Sequence, residues 1–225
     1  MVYPLVLHTC DSYEKWWPIW FFFYKKYISG FTKVYFLTEE KDPPFSSPEL
    51  QVIKTGKGAW GERLIKALKL IPEDFIYYCQ EDYWAEMPFH PEYYELLFHT
   101  FTMDALRITE KIDNMGFSFT PISSNLYRYK NDSAYLMNHR FSLWNKHFFL
   151  RFIASHESPW DNEHTMSEAL RRIDHRIYHY NSKWYDAQVT RGVLRNDGHT
   201  LLKKHKEELL AFYLAYCPLS KPPGF

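Results

Sequence analysis

Unbroken apolar runs, rather than strict alternation, mark the strands of this chain. The most telling one reads Phe75-Ile76-Tyr77-Tyr78-Cys79, passes into Gln80-Glu81-Asp82 and is followed by Tyr83-Trp84. Bounded by Pro72 and polar residues, it predicts a strand over 75–82 buried on both faces. Shorter runs predict strands at 5–8 (Leu-Val-Leu-His), 33–38 (Lys-Val-Tyr-Phe-Leu-Thr) and 50–53 (Leu-Gln-Val-Ile). Between them fall helices. One is capped by Asp11 or Ser12, with Glu14 reaching back, and runs to about 28; Pro18 either kinks it or marks a late start. Another spans 60–70, with Leu64, Ile65 and Leu68 on one face. Strand, helix, strand in succession implies parallel pairing with right-handed crossovers.

Pro91 opens a helix to about 103, and 105–108 is strand-like. Beyond it the pattern loosens. A hairpin is predicted from 125–130 and 134–137 around Asn131-Asp132. An aromatic-rich helix follows at 143–154, then a polar one from about 159 to 173, a strand at 176–180, a loop at 189–198 and a helix at 201–216. The tail from 218, with three prolines, reads as loosely held. The expected fold class is α/β: a mostly parallel sheet with helices on both faces and a smaller mixed β region in the second half. No repeat or linker divides the 225 residues, so 1–225 is one domain, with halves at 1–110 and 111–225.

Composition narrows the function. Lys+Arg and Asp+Glu are 27 each, so no net field selects nucleic acid or an anionic membrane. Aromatics reach an unusual 20%; such rings can fill a core, and many Tyr and Trp also suit stacking on sugars and bases. Cys10, Cys79 and Cys217 are widely spaced without a CxxC, against a disulfide framework or structural zinc, and a reducing, cytoplasmic setting is expected. The aromatic stretch 16–24 is too short to span a bilayer, so no transmembrane segment is expected, though a peripheral place at a membrane surface stays open. No HExxH, GxSxG or complete GxxxxGK[ST] occurs.

Three acidic places remain. Glu81-Asp82 at a strand end either holds a divalent cation or merely solvates a turn, and Asp11 sits in the turn after the first strand. Glu157, Asp161 and Glu163 surround a Ser-Pro-Trp turn; they supply a general base or simply favour a helix N-terminus. Lys57, Trp60 and Arg63 either face a nucleotide or serve capping and packing. Arg191 and Arg195 either clamp a diphosphate or form an exposed basic loop.

The order of these elements resembles the GT-A fold glycosyltransferases, over roughly residues 3 to 200. Gln80-Glu81-Asp82 stands where that family closes its fourth strand with a DxD-like metal motif, departing from it in Gln80. Ser158-Pro159-Trp160-Asp161-Asn162-Glu163 looks like the Trp-x-x-acid motif of inverting members. Together with Gly56-Lys57-Gly58-Ala59-Trp60-Gly61-Glu62-Arg63-Leu64, these segments look like small bacterial or viral sugar transferases. The resemblance implies a nucleotide-sugar donor bound in 1–110 and a glycan or lipid-linked saccharide acceptor bound in 111–225. It further implies Mn²⁺ or Mg²⁺ on Asp82 beside Glu81. Thr9, Asp11 and Glu39 would contact the nucleoside, Lys57, Trp60 and Arg63 would line its pocket, and Arg191 and Arg195 would hold the diphosphate. Trp160 would meet the acceptor, and Glu163, or failing that Asp161, would be the base. A nucleotidyltransferase and a non-catalytic carbohydrate-binding module are the rival classes. The first normally carries a Gly-rich basic signature that Thr9-Cys10-Asp11-Ser12 lacks.

Overall fold

A computed structural model describes residues 2–110 and 116–217. Strands β1 (Leu5–His8), β2 (Val34–Thr38), β3 (Leu50–Lys54) and β4 (Phe75–Gln80) form the parallel start of one sheet. To these it adds β6 (Ala105–Thr109), β7 (Phe119–Pro121), β8 (Leu126–Tyr129), β9 (Ser142–Asn145) and β10 (Ile177–Asn181). The order is β3-β2-β1-β4-β9-β6-β10-β8-β7. β9 lies antiparallel between β4 and β6, and β10 returns to pair parallel with β6. Two small ribbons stand apart: β5 (Tyr83–Ala85) with β11 (Tyr185–Ala187), and β12 (Val189–Thr190) with β13 (Val193–Leu194).

The period of two is what lets one strand serve two cores. Leu5 and Leu7, Val34 and Phe36, and Tyr77 and Cys79 enter one hydrophobic cluster, while Val6, Tyr35, Leu37, Ile76 and Tyr78 enter the other. The first cluster is closed by α1 (Trp17–Tyr27), α3 (Pro91–Thr100), α6 (Asn196–Lys204) and α7 (Lys206–Tyr216). The second is closed by α2 (Trp60–Leu70), α4 (Lys146–Leu150) and α5 (Pro159–Leu170). Every residue of α1 from Trp17 to Tyr24 is buried, which accounts for the aromatic stretch. Among the described residues no helix is long and apolar enough to cross a membrane.

Several expectations are corrected. Asp11 caps nothing; a 3₁₀ turn over Asp11–Trp16 precedes α1, and Pro18 sits in the first turn of α1, where its missing N–H costs least. Residues 134–137 are turns rather than a strand, because the Arg107 guanidinium takes the carbonyls of Tyr135 and Leu136; β8 pairs with β7 instead. The predicted helix at 143–154 begins as β9, and Asn145 then caps the short α4 by accepting the Phe148 N–H at 3.1 Å. The single C-terminal helix is two, broken at His205, whose buried ring turns onto Phe22 and Phe23 of α1. The tail from 218 lies outside the described residues.

Candidate functional site

β1 and β4 run parallel and in register, so His8 and Gln80 end side by side, and the residues after them face one opening. There a cleft of about 470 Å³ is lined by His8, Thr9, Cys10, Tyr13, Trp60, Arg63, Glu81, Asp82 and, from the far side, Trp160 and Arg191. A second cleft of about 250 Å³ adjoins it, lined by Tyr135, Asn138, His139, Arg140 and Glu163 among others. Gln80, Asp82, Tyr83, Pro159 and Trp160 border both and form the partition.

The acidic pair lies just past the end of β4, which stops at Gln80, two residues short of the predicted end. The Asp82 carbonyl accepts the N–H groups of Gln188 and Val189 at 2.8 and 3.2 Å, which fastens the turn to β12. Glu81 is buried and its carboxyl is held well above the usual range, first by burial and then by the charge of Asp82. Asp82 is half-buried and pushed up to about 7, mainly by burial, with Glu163 adding repulsion from the second cleft. Burial also raises Glu163, against the N–H that His139 donates to it at 2.9 Å. Tyr13 is pushed up to about 12 by burial, with the charges of Glu81 and Asp82 adding to it.

Among the described residues no three His, Cys, Asp or Glu side chains gather to cage a metal. Asp82 Oδ1, however, is shielded from solvent and has no hydrogen-bond partner among the described residues. A lone carboxylate oxygen of that kind fits a cation completed by phosphate oxygens, the usual manner of Mg²⁺.

The mouth of the larger cleft has its own geometry. Arg191 (φ 50°) and Gly192 (φ 77°) are the two central residues of the β12–β13 hairpin, both left-handed as a tight type I′ turn requires. For arginine that conformation is unfavourable by ~1–2 kcal/mol. It brings the exposed guanidinium to 5.9 Å from the Trp160 ring.

Of the residues singled out from sequence, Thr9, Trp60, Arg63, Glu81, Asp82, Trp160 and Arg191 meet in the larger cleft and Glu163 in the smaller one. Arg63 is nonetheless committed inward, to Thr55 Oγ1 at 3.0 Å, the Thr9 carbonyl and Glu39 at 3.5 Å. Five others line neither cleft. The Asp11 carboxylate accepts the N–H groups of Glu39 and Glu40, and Glu39 accepts that of Asp11, a reciprocal clip between two loops. Lys57 is exposed and pairs with Glu40, while Arg195 donates to the Ala187 carbonyl at 2.8 Å. Asp161 is consumed by a capping box with Ser158, which leaves Glu163, two residues on, as the carboxyl facing the cleft. His8, Tyr13, His139 and Arg140 escaped the sequence reading. Scattered histidines carry no spacing signal, although the place of His8 at a strand end was available.

No protein-family model matches the sequence, and no curated protein matches it. Solved structures do share the fold. S. aureus TarS 1–349, in complex with UDP-GlcNAc, superposes with a TM-score of 0.58 at 15% identity, over 82% of this chain and 58% of that one. The chain thus spans little more than half of the TarS fragment. An apo UDP-glucose pyrophosphorylase gives 0.58 at 9% identity, over 96% and 99%. HddC from Yersinia pseudotuberculosis gives 0.56 at 10%, over 91% and 99%. Such identities speak for architecture alone. The chain has a GT-A-like, Rossmann-type α/β fold, one it has in common with a UDP-GlcNAc-bound protein and with UDP-glucose pyrophosphorylase.

Proposed function

We propose that the protein transfers a sugar from a nucleotide-sugar donor to a hydroxyl of a glycan or lipid-linked saccharide, with inversion. One observation carries the reading: two clefts meet at Asp82 and Trp160, and the smaller one holds a carboxyl, Glu163, that burial makes more basic than usual. The larger cleft has the volume of an ordinary nucleotide site.

In this mechanism the nucleoside diphosphate lies over Thr9 and Tyr13, and Trp60 stands where the sugar joins it. Arg191 spreads its charge over the diphosphate, and Trp160 holds the acceptor against the partition. Glu163 removes the acceptor hydroxyl proton as that oxygen attacks the anomeric carbon and the bond to the diphosphate breaks. Asp82 is the residue that would hold Mn²⁺ or Mg²⁺, which supplies neutralisation of the leaving diphosphate when bound. Asp161 has no part in the chemistry. Glu163→Gln is therefore expected to lose roughly a hundredfold or more in kcat while keeping donor affinity. Asp161→Asn is expected to lower thermal stability by about 1 kcal/mol through the cap and to leave kcat unchanged. Steady-state kinetics beside melting curves separate the two, and an inactive Asp161→Asn beside an active Glu163→Gln would move the base.

A nucleotidyltransferase is the second reading, favoured by the superposition over 99% of UDP-glucose pyrophosphorylase. The reactions differ in what they release. Free UDP from UDP-glucose or UDP-N-acetylglucosamine with Mn²⁺ and saccharide acceptors supports sugar transfer. Pyrophosphate from UTP and glucose 1-phosphate overturns it. A carbohydrate-binding module would bind neither nucleotide in a calorimeter.

A further inference from the structure

Two buried histidines have no part in that mechanism. His8 ends β1 and lines the larger cleft; His139 precedes β9 and lines the smaller. They are 3% and 4% exposed. The half-buried ring of Trp60 lies against both, stacked on His8 at 5.5 Å between centroids and edge-on to His139 at 4.4 Å. Each imidazole uses one nitrogen inside the protein. His8 Nδ1 meets the Tyr78 hydroxyl at 3.3 Å, and His139 Nε2 meets Asn162 Oδ1 at 3.1 Å. The other two nitrogens, His8 Nε2 and His139 Nδ1, are buried with no hydrogen-bond partner among the described residues.

The surrounding bonds fix the proton of His139 and offer one arrangement for that of His8. The Asn162 amide nitrogen donates to the Phe152 carbonyl at 2.8 Å and to Glu157 at 2.7 Å, so its oxygen faces His139 as an acceptor. His139 therefore carries its proton on Nε2 and keeps a bare lone pair on Nδ1. The Tyr78 hydroxyl oxygen accepts from the Gln80 side chain at 3.4 Å, which leaves its own proton free to go to His8 Nδ1. With Tyr78 as donor, His8 carries its proton on Nε2. Burial holds both rings neutral, with His139 pushed down to about 3 and His8 well below its ordinary value. One ring thus offers a donor and the other an acceptor, uncharged, on two sides of a flat indole. Orphaned polar atoms of this kind destabilise the fold until something pairs with them.

Resting on the transferase reading, we infer that Trp60, His8 and His139 form the floor that selects the transferred sugar. Its class is a neutral hexose whose hydroxyls accept from His8 Nε2 and donate to His139 Nδ1. Trp60 is both platform and cover: the two nitrogens are closed to solvent without ligand, and the indole shifts to admit the sugar. A sugar carrying a carboxylate finds two neutral rings and an indole on this floor, with no cation to pair with its charge.

The test is calorimetry with Mn²⁺ on the full chain, comparing UDP with UDP-glucose, UDP-galactose, UDP-N-acetylglucosamine and UDP-glucuronate. The parent is expected to bind at least one neutral UDP-sugar more tightly than UDP and to gain nothing from glucuronate. His8→Phe and His139→Phe are each expected to weaken that UDP-sugar roughly tenfold with UDP unchanged. His8→Gln and His139→Gln, which keep a donor and an acceptor, are expected to recover part of the loss. Each Phe variant removes an orphaned nitrogen but also a hydrogen bond, to Tyr78 or Asn162, so its melting curve is recorded beside the titration and unchanged UDP binding shows that the fold is intact. Parent-like binding of the UDP-sugar by all four variants overturns the inference alone, as does equal loss of UDP and UDP-sugar. A parent that binds neither UDP nor any UDP-sugar brings down the transferase reading and this floor with it.

Discussion

At pH 8, with divalent cations removed, Asp82→Asn is expected to melt several degrees above the parent protein. Assayed with cation and donor, it is expected to have lost roughly a hundredfold or more in activity. Both effects come from one carboxyl. Asp82 is held at about 7 against an ordinary 3.8 because burial opposes its charge. A carboxyl raised in this way favours the folded state only while protonated. Its contribution is greatest below about 4, is lost as pH rises through 7, and is flat above. At ~1.36 kcal/mol per unit the ionised form costs the fold on the order of 4 kcal/mol. The amide carries no charge and escapes that cost. The stability gain of Asp82→Asn should therefore be absent near pH 4, grow across pH 4–7 and level off beyond. Melting temperatures across that range check it, and a gain independent of pH would sink the account. Added Mn²⁺ should narrow the gap by stabilising only the parent.

Gly61→Ala is expected to lower stability by about 2–3 kcal/mol, a fall of roughly 5–10 °C in a domain of this size. The sign is the informative part, because alanine ordinarily improves a helix by up to ~1 kcal/mol over glycine. Here a Cβ at position 61 would lie 2.0 Å from the Ala154 carbonyl oxygen, a backbone atom that cannot turn aside. The close approach also lets the N–H groups of Gly61 and Glu62 reach the carbonyls of Glu157 and Ser155, at 3.2 and 2.9 Å. The first turn of α2, which carries Trp60 and Arg63, is thereby docked onto the loop leading into α5, which carries Trp160 and Glu163. Donor binding should weaken along with stability. Equal melting curves for Gly61→Ala and parent would show that this contact is not tight.

β1, β2 and β4 were legible because they are buried on both faces and write themselves as apolar runs. α2 was legible from Leu64 and Leu68 at helical spacing. β9 was not. Phe141-Ser142-Leu143-Trp144 reads as easily into the following aromatic helix, and only the slot between β4 and β6 makes it a strand. Residues 134–137 look like a strand until Arg107 takes their carbonyls. Of the site, the residues at strand and helix ends that topology brings together were readable: Thr9, Glu81, Asp82, Trp160 and Glu163. Asp11, Glu39, Lys57, Arg195 and Asp161 have the right chemistry in the right neighbourhood, but each spends it on a neighbouring loop, charge or cap, and sequence does not disclose a partner distant along the chain.

β9 also governs the order in which the molecule can assemble. It fills the gap between β4 and β6 from more than thirty residues beyond β6. A ribosome that has released the first 110 residues has released seams that cannot zip: β4 presents an open edge, and β6 has no neighbour to join. The central sheet closes only when a late segment threads into the middle of an early one. That makes for high contact order and slow, all-or-none folding. Residues 2–110 and 116–217 are therefore inseparable as folding units.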